Sequence, residues 1–275
     1  MTELDLDAYF GRVGYDGPAT PTLATLTRLH ALHAAAIPFE NLSPFLGEPV
    51  RLDIASLQDK LIARGRGGWC FEQNLLFAHA LERIGFEVTR LAARVRWNVP
   101  ANVITARSHC LLRVPVEGRD YIADVGFGGQ SLSAPLRLEP GIEQATPHES
   151  YRIVASNGGY ALESRFGGEW QALYTFEMHE QQLADYEVSN WYLCNHPQSI
   201  FVTGLVAARA GASERHALRN TRYSIHQPDG RAERRILASA GEIREALEGP
   251  FAIALPDSPN LDERLAALVE SNREP

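Results

Sequence analysis

Three side chains in this sequence have the types and settings that acyl-transfer chemistry needs: Cys70, His109 and Asp124. Cys70 closes the stretch RGGWC and opens an apolar run with helical spacing, in which Phe77, Leu81 and Ile84 share a face and Gly85 follows the end. A cysteine in the first turn of a helix lies where unpaired backbone N–H groups and the macrodipole favour negative charge. Such a setting favours thiolate, the reactive form of sulfur. Gly67 and Gly68 allow another segment or a ligand to come close, and the cysteine's own N–H can point at the oxyanion of an attacked carbonyl. The competing reading is an inert, small core residue.

A thiolate nucleophile needs a base, and the chain has nine histidines. His30 and His33 lie in an alanine-rich helical run with no acid at ligand spacing, which argues against a metal site there. His79 falls inside the Cys70 helix as a packing or surface residue. His148, His216 and His226 sit among polar residues typical of exposed segments. His109 differs because it opens a strand. In SHCLLRV, His109 and Leu111 point to one face and Cys110 and Leu112 to the other. One hairpin later, Asp124 is the only acid in the apolar strand YIADV. A carboxylate there is costly unless something pairs with it, and a histidine on the neighbouring strand is the nearest candidate. With Gly118 and Arg119 central in the turn EGRD, Asp124 falls opposite residues 111 to 113. His109 is one diagonal step further, a gap that a bulge or a curled sheet would close. Together the three supply thiolate, imidazole and carboxylate, with the histidine shuttling a proton and the aspartate fixing its tautomer. Protease, amidase, transglutaminase-like enzyme and acyltransferase all remain open at this level.

The elements that must hold these residues follow from the pattern. TPTLATLTRLHALHAAA predicts a helix starting at Thr20-Pro21 and ending before Pro38, and DIASLQDKLIARG a second one with Asp53 as N-cap and Gly65 past its end. From Phe86 the rhythm becomes short β-type segments separated by Gly, Pro, Asn and Asp, the pattern of an antiparallel barrel or strongly curled sheet. After Tyr186 it mixes again, with strands such as HALRNTRYSIHQ and two closing helices, AGEIREALE and NLDERLAALVESN. The predicted fold class is α+β: a helical bundle over 1–86, a β-barrel over 87–190 and an α/β lid over 191–275.

Bulk properties narrow the partners. A formal charge of -8 over 275 residues argues against nucleic acid. No apolar run approaches the roughly 20 residues of a membrane helix. The opening MTELDLDAYF has neither the basic nor the apolar region of a signal peptide. Three scattered cysteines form no CxxC pair and no disulfide framework. These features predict a cytoplasmic protein. No Walker motif, dinucleotide fingerprint or HExxH occurs, and GFGGQS (Gly126 to Ser131) reads as a loop with accessible amides.

The ordered set YFGRVGYDG, IPFENL, RGGWCFEQN, IGFEV, SHCLL, DVGFGG and NWYLCNHPQSIF resembles the arylamine N-acetyltransferases along nearly the whole chain. The resemblance implies a papain- or transglutaminase-like core with Cys70, His109 and Asp124 as catalytic residues. It further implies an acceptor pocket lined by Phe39, Val95 and Phe127, and segments approaching coenzyme A at Trp97, Gly126, Gly128 and Phe201. The implied activity is ping-pong transfer of acetyl from acetyl-CoA to arylamines, hydrazines or arylhydroxylamines, of the kind used in xenobiotic metabolism. No metal and no tightly bound prosthetic group is implied. Alternatives sharing the residues are a family-related amide synthase closing a macrolactam and a thiol hydrolase or transglutaminase-like enzyme. Trp69, Gln73 and Ser108 depart from the family's usual residues and bear on acceptor preference.

Overall fold

The structure, a computed structural model, describes residues 3–100, 102–211, 213–228 and 230–272. Each early helix is bounded by a residue that starts or stops it. In α1 (Leu6–Val13) the Asp5 carboxylate accepts the Ala8 N–H at 3.0 Å. In α2 (Leu23–Ala36) the cap is Thr22, two residues past the predicted start, because its hydroxyl accepts the free Thr25 N–H. The short α3 (Leu42–Phe45) precedes α4 (Ile54–Leu57), which Asp53 caps as predicted. The predicted continuation to Gly65 is a π-helical turn over Gln58–Ala63, from which Lys60 reaches Glu72. Next comes α5 (Cys70–Ile84), where the Glu72 carboxylate accepts the Trp69 N–H at 3.1 Å and Gly85 ends the helix at φ 105°. Among the described residues no helix is long and apolar enough to cross a membrane.

The strands are β1 (Phe39–Glu40), β2 (Thr89–Val95), β3 (Arg107–Val116), β4 (Arg119–Ala123), β5 (Leu136–Arg137), β6 (Glu143–Ala145), β7 (Ser150–Ser156), β8 (Gly159–Phe166) and β9 (Glu169–Glu180). All but β1 form one antiparallel sheet, in the order β5-β4-β3-β2-β9-β8-β7-β6. Helices α6 (Leu183–Asn195) and α7 (Ile200–Thr203) lead to β10 (Val206–Ala210), β11 (Arg215–Arg219), β12 (Arg222–His226) and β13 (Ala232–Ile236). These four strands extend from β1 in a second sheet, closed by α8 (Ala240–Glu248) and α9 (Leu261–Ser271). The architecture is the α+β one predicted. Helix α6 spans the expected division at 190/191, and the pairing of β1 with β10 (Phe39↔Ala208) joins the first segment to the third.

Strand alternation sorts the core as predicted. Cys110, Leu112 and Val114 pack onto the helices with Phe71, Phe77 and Leu81, while Leu111 and Ile122 face the interior of the curled sheet with Leu91, Tyr151 and Tyr174. The hairpin turn corrects the sequence reading by one residue. Glu117 and Gly118 hold the positive φ values (52° and 73°) of a two-residue turn, so Leu112 faces Ala123 and the register takes the lower end of the predicted range. His216 is also corrected. It is buried, with Nδ1 2.7 Å from the Tyr223 hydroxyl, because it lies on the helix-facing side of the second sheet.

Beneath the nucleophile loop, Arg66 donates to Glu40 at 2.7 Å, and both side chains are buried. Arg66→Met leaves the Glu40 carboxylate buried and unpaired, and should lower the stability read by urea denaturation by about 3–5 kcal/mol. A loss under about 1 kcal/mol would show that the pair does not hold the loop.

Candidate active site

The residues before Cys70 are pinned by backbone pairing. Gly68 N–H donates to the Pro38 carbonyl and Glu40 N–H to the Gly68 carbonyl, each at 3.1 Å, laying the loop beside β1. A Cβ on Gly67 would stand 2.2 Å from the Pro38 carbonyl oxygen, so only glycine permits this approach. Across the site, a Cβ on Gly126 would meet the Cys70 Cα at 2.8 Å. That glycine lets the segment after Asp124 lie directly on the start of α5. Cys70 is buried, with Sγ 3.7 Å from the Ser108 carbonyl.

Sheet geometry brings in the other two groups. Ala93 pairs with His109 and Arg94 with Arg107, so Ser108 is an extra, bulged residue immediately before the histidine. His109 Nε2 lies 2.7 Å from Asp124 Oδ2, and both side chains are buried. The Asp124 carboxylate can only accept, so Nε2 carries the proton and Nδ1 is left for the sulfur side. The other carboxylate oxygen accepts from Asn74 Nδ2 at 2.9 Å and Gly126 N–H at 3.0 Å. Asn74 also donates to the Cys110 carbonyl and accepts the Val125 N–H, tying α5 to β3 and to the segment after β4. The His109 ring packs against Phe127 at 5.0 Å and Tyr174 at 4.9 Å, and those two rings meet each other at 5.2 Å.

Burial alone would lower the His109 value, but Asp124 and the neighbouring Cys70 outweigh it and raise it to about 10. Burial pushes the Asp124 carboxyl up, while His109, Asn74 and the Gly126 N–H hold it below the usual carboxylate range. The carboxylate therefore favours the imidazolium form of His109 beside the cysteine.

The remaining sequence candidates form two groups. Phe39 lies under Gly128, whose Cβ would meet its ring at 3.6 Å, and faces Phe201 at 6.2 Å. Phe201 also meets Trp69 at 5.1 Å. Phe127 and Trp97 belong to the cluster inside the curled sheet, and Val95 pairs there with Tyr174. Gly126 is packed on Cys70 with its N–H bound to Asp124, so that amide is not free as the loop reading assumed. Sequence reasoning missed Asn74, Tyr174, His30 and His33 as site residues, and singled out Gln73 only as a departure bearing on acceptor preference. Gln73 and Asn74 carried a signal, since spacings of three and four place them on the face of α5 that Cys70 begins. Tyr174 carried none, because its place depends on pairing between β2 and β9.

The raised His109 value links stability to pH. Its contribution is complete below the ordinary histidine value of 6.5 and is lost as pH rises through about 10. Asp124→Asn should therefore be clearly less stable than the wild type at pH 7, with the gap narrowing towards pH 10. Urea denaturation across that range reads this, and a pH-independent gap would contradict the ion pair.

Comparison with known proteins identifies the lineage. A family model described as N-acetyltransferase matches residues 22–259. An arylamine N-acetyltransferase of Mycolicibacterium smegmatis is 42% identical over 274 residues, covering 98% of this chain and 99% of that protein. An arylamine N-acetyltransferase / N-hydroxyarylamine O-acetyltransferase of Salmonella typhimurium is 44% identical over 204 residues, covering 74% and 72%. The solved structure of Mycobacterium marinum arylamine N-acetyltransferase in complex with CoA superposes with a TM-score of 0.93 at 38% identity, covering 96% of this chain and 99% of that one. On this similarity of sequence and fold, the chain belongs to the arylamine N-acetyltransferase family.

Proposed function

We propose that this protein transfers acetyl from acetyl-CoA to aromatic amines, hydrazines and arylhydroxylamines through an acetyl-Cys70 intermediate. The observation that carries the reading is the buried His109–Asp124 contact at 2.7 Å beside a cysteine at a helix start. A helix terminus and a neighbouring imidazolium are the surroundings in which cysteines generally react as the thiolate. In the first half, that thiolate attacks the thioester carbonyl, and the Cys70 N–H stands where the oxyanion develops. The C–S bond to coenzyme A breaks, and His109 returns a proton to the leaving sulfur. In the second half, an aromatic amine, neutral at pH 7, attacks the acetyl group while His109 takes the proton released from nitrogen. Because each half ends before the other begins, the kinetics are ping-pong.

Aromatic side chains near the cysteine suit a flat acceptor. Phe39 and Phe201 would line one side, Phe127 the other, with Val95 and Trp97 behind it. A second feature suits the donor's anionic end. A trough of about 620 Å³ begins at Gly129, runs over Ala208, Ala217 and Ser224, and is bordered by Arg219, Arg222 and Arg234. These three guanidinium groups have no carboxylate partner among the described residues, although the chain is acidic overall. Uncompensated cations beside the site suit a phosphorylated donor. The M. marinum relative's structure in complex with CoA supports the same donor.

Intact mass after incubation with acetyl-CoA alone tests this. A single acetyl adduct is expected on the wild type, absent from Cys70→Ala and discharged by 4-anisidine. No adduct on a protein whose Cys70 still alkylates would overturn acetyl-CoA as donor and favour a carrier-bound acyl group.

A further inference from the structure

Helix α2 carries two fully buried histidines, His30 and His33, both packed edge-on against Phe77 and outside the reacting set. His30 Nε2 accepts the Asp124 backbone N–H at 3.2 Å. The surroundings of His33 fix every hydrogen-bond direction by elimination. Burial holds its value down to about 3, so the ring is neutral and carries one N–H. Gln73 Nε2 lies 3.1, 2.8 and 3.1 Å from the carbonyl oxygens of Ile37, Pro38 and Gly68, which can only accept. The Gln73 oxygen therefore faces His33 Nε2, at 2.8 Å, and that nitrogen must donate. His33 Nδ1 is then the bare acceptor, and the Tyr9 hydroxyl donates to it at 2.9 Å. One directed chain results, from Tyr9 through His33 and Gln73 to three carbonyls.

Those carbonyls lie on the two segments whose relative position matters most. Ile37 and Pro38 lead into Phe39, and Gly68 stands two residues before Cys70. Backbone pairing between the segments consists of the two bonds made by Gly68. The Gln73 amide nitrogen lies within hydrogen-bond distance of carbonyls on both segments, so its two hydrogens can bridge them.

We propose that the His33–Gln73 pair is a positioning device for the second half-reaction. It fixes the register of Gly68–Cys70 against Pro38–Phe39, and with it the place where an aromatic acceptor on Phe39 meets the acetyl group on Cys70. The inference rests on the transferase reading above. In that step the amine nitrogen forms the new C–N bond, the C–S bond breaks with its electron pair left on the Cys70 sulfur, and His109 takes the proton from nitrogen. Water attacking the same acetyl group yields acetate and needs no aromatic wall. A register error should therefore slow transfer to an amine far more than hydrolysis, since misplacement on the order of 1 Å costs up to about a hundredfold in an oriented reaction.

The test is the partition of pre-formed acetyl-enzyme between 4-anisidine and water, in wild type, Gln73→Met and Tyr9→Phe. Gln73→Met keeps the length of the side chain and loses its donors. Tyr9→Phe removes only the hydroxyl that donates to His33 Nδ1 and anchors the far end of the chain, and it decides the question if Gln73→Met does not fold. Transfer should fall about tenfold in Gln73→Met and about threefold in Tyr9→Phe, with hydrolysis within about twofold of wild type. Unchanged transfer, or transfer and hydrolysis changing in the same proportion, would overturn the positioning role while leaving the transferase reading intact. A wild type that forms no acetyl adduct would overturn both.

Discussion

Everything near the cysteine is arranged around one buried carboxylate. Asp124 has no exposed surface, and an ion in that position is tolerated only with a complete set of partners. His109, Asn74 and the Gly126 N–H supply them. Each partner arrives on a different element, so satisfying the charge also assembles the site. The histidine comes from the bulged end of β3, the asparagine from the second turn of α5, and the glycine from the segment after β4. Gly126 serves twice: its N–H donates to the carboxylate, and its missing Cβ lets its backbone lie on Cys70.

Charge is handled in two opposite ways within a short span. Beneath the loop, Glu40 pairs with Arg66, and Glu72 with Lys60, the chain's only lysine. These pairs hold segments together without chemistry of their own. His109 is raised by its aspartate and so stores a proton. His30 and His33, buried without an acid at hydrogen-bond distance, are lowered to about 4 and about 3 and serve as fixed hydrogen-bonding groups. Residues of one type thus do opposite work because one ring faces a carboxylate and the other two face neutral partners.

Local signals were legible in the sequence and distant ones were not. The Asp53 cap, the Gly85 stop and the Cys70 start depend on neighbours within a turn, and the structure places them as read. Alternation along SHCLL sorted Cys110 from His109 because the period of a strand is a local property. The hairpin was read one residue off, since Glu117 adopting positive φ is not a composition signal. His30 and His33 looked unremarkable because their partners, Asp124 and Gln73, lie 94 and 40 residues away. The pairing of β1 with β10 had no signal in a two-residue strand, yet it joins the nucleophile's neighbourhood to the last part of the chain. The family resemblance supplied what pattern could not, namely which of several thiol chemistries to propose for these residues.

The proposed chemistry requires His109 to be an imidazolium, held by Asp124, at neutral pH. NMR titration of the His109 ring, with Asp124→Asn to assign it, measures this directly. The ring should stay protonated through neutral pH and titrate near 10. A midpoint near the unperturbed value of about 6.5 would show that Asp124 does not hold the charge, and the thiolate–imidazolium pair would have to be abandoned.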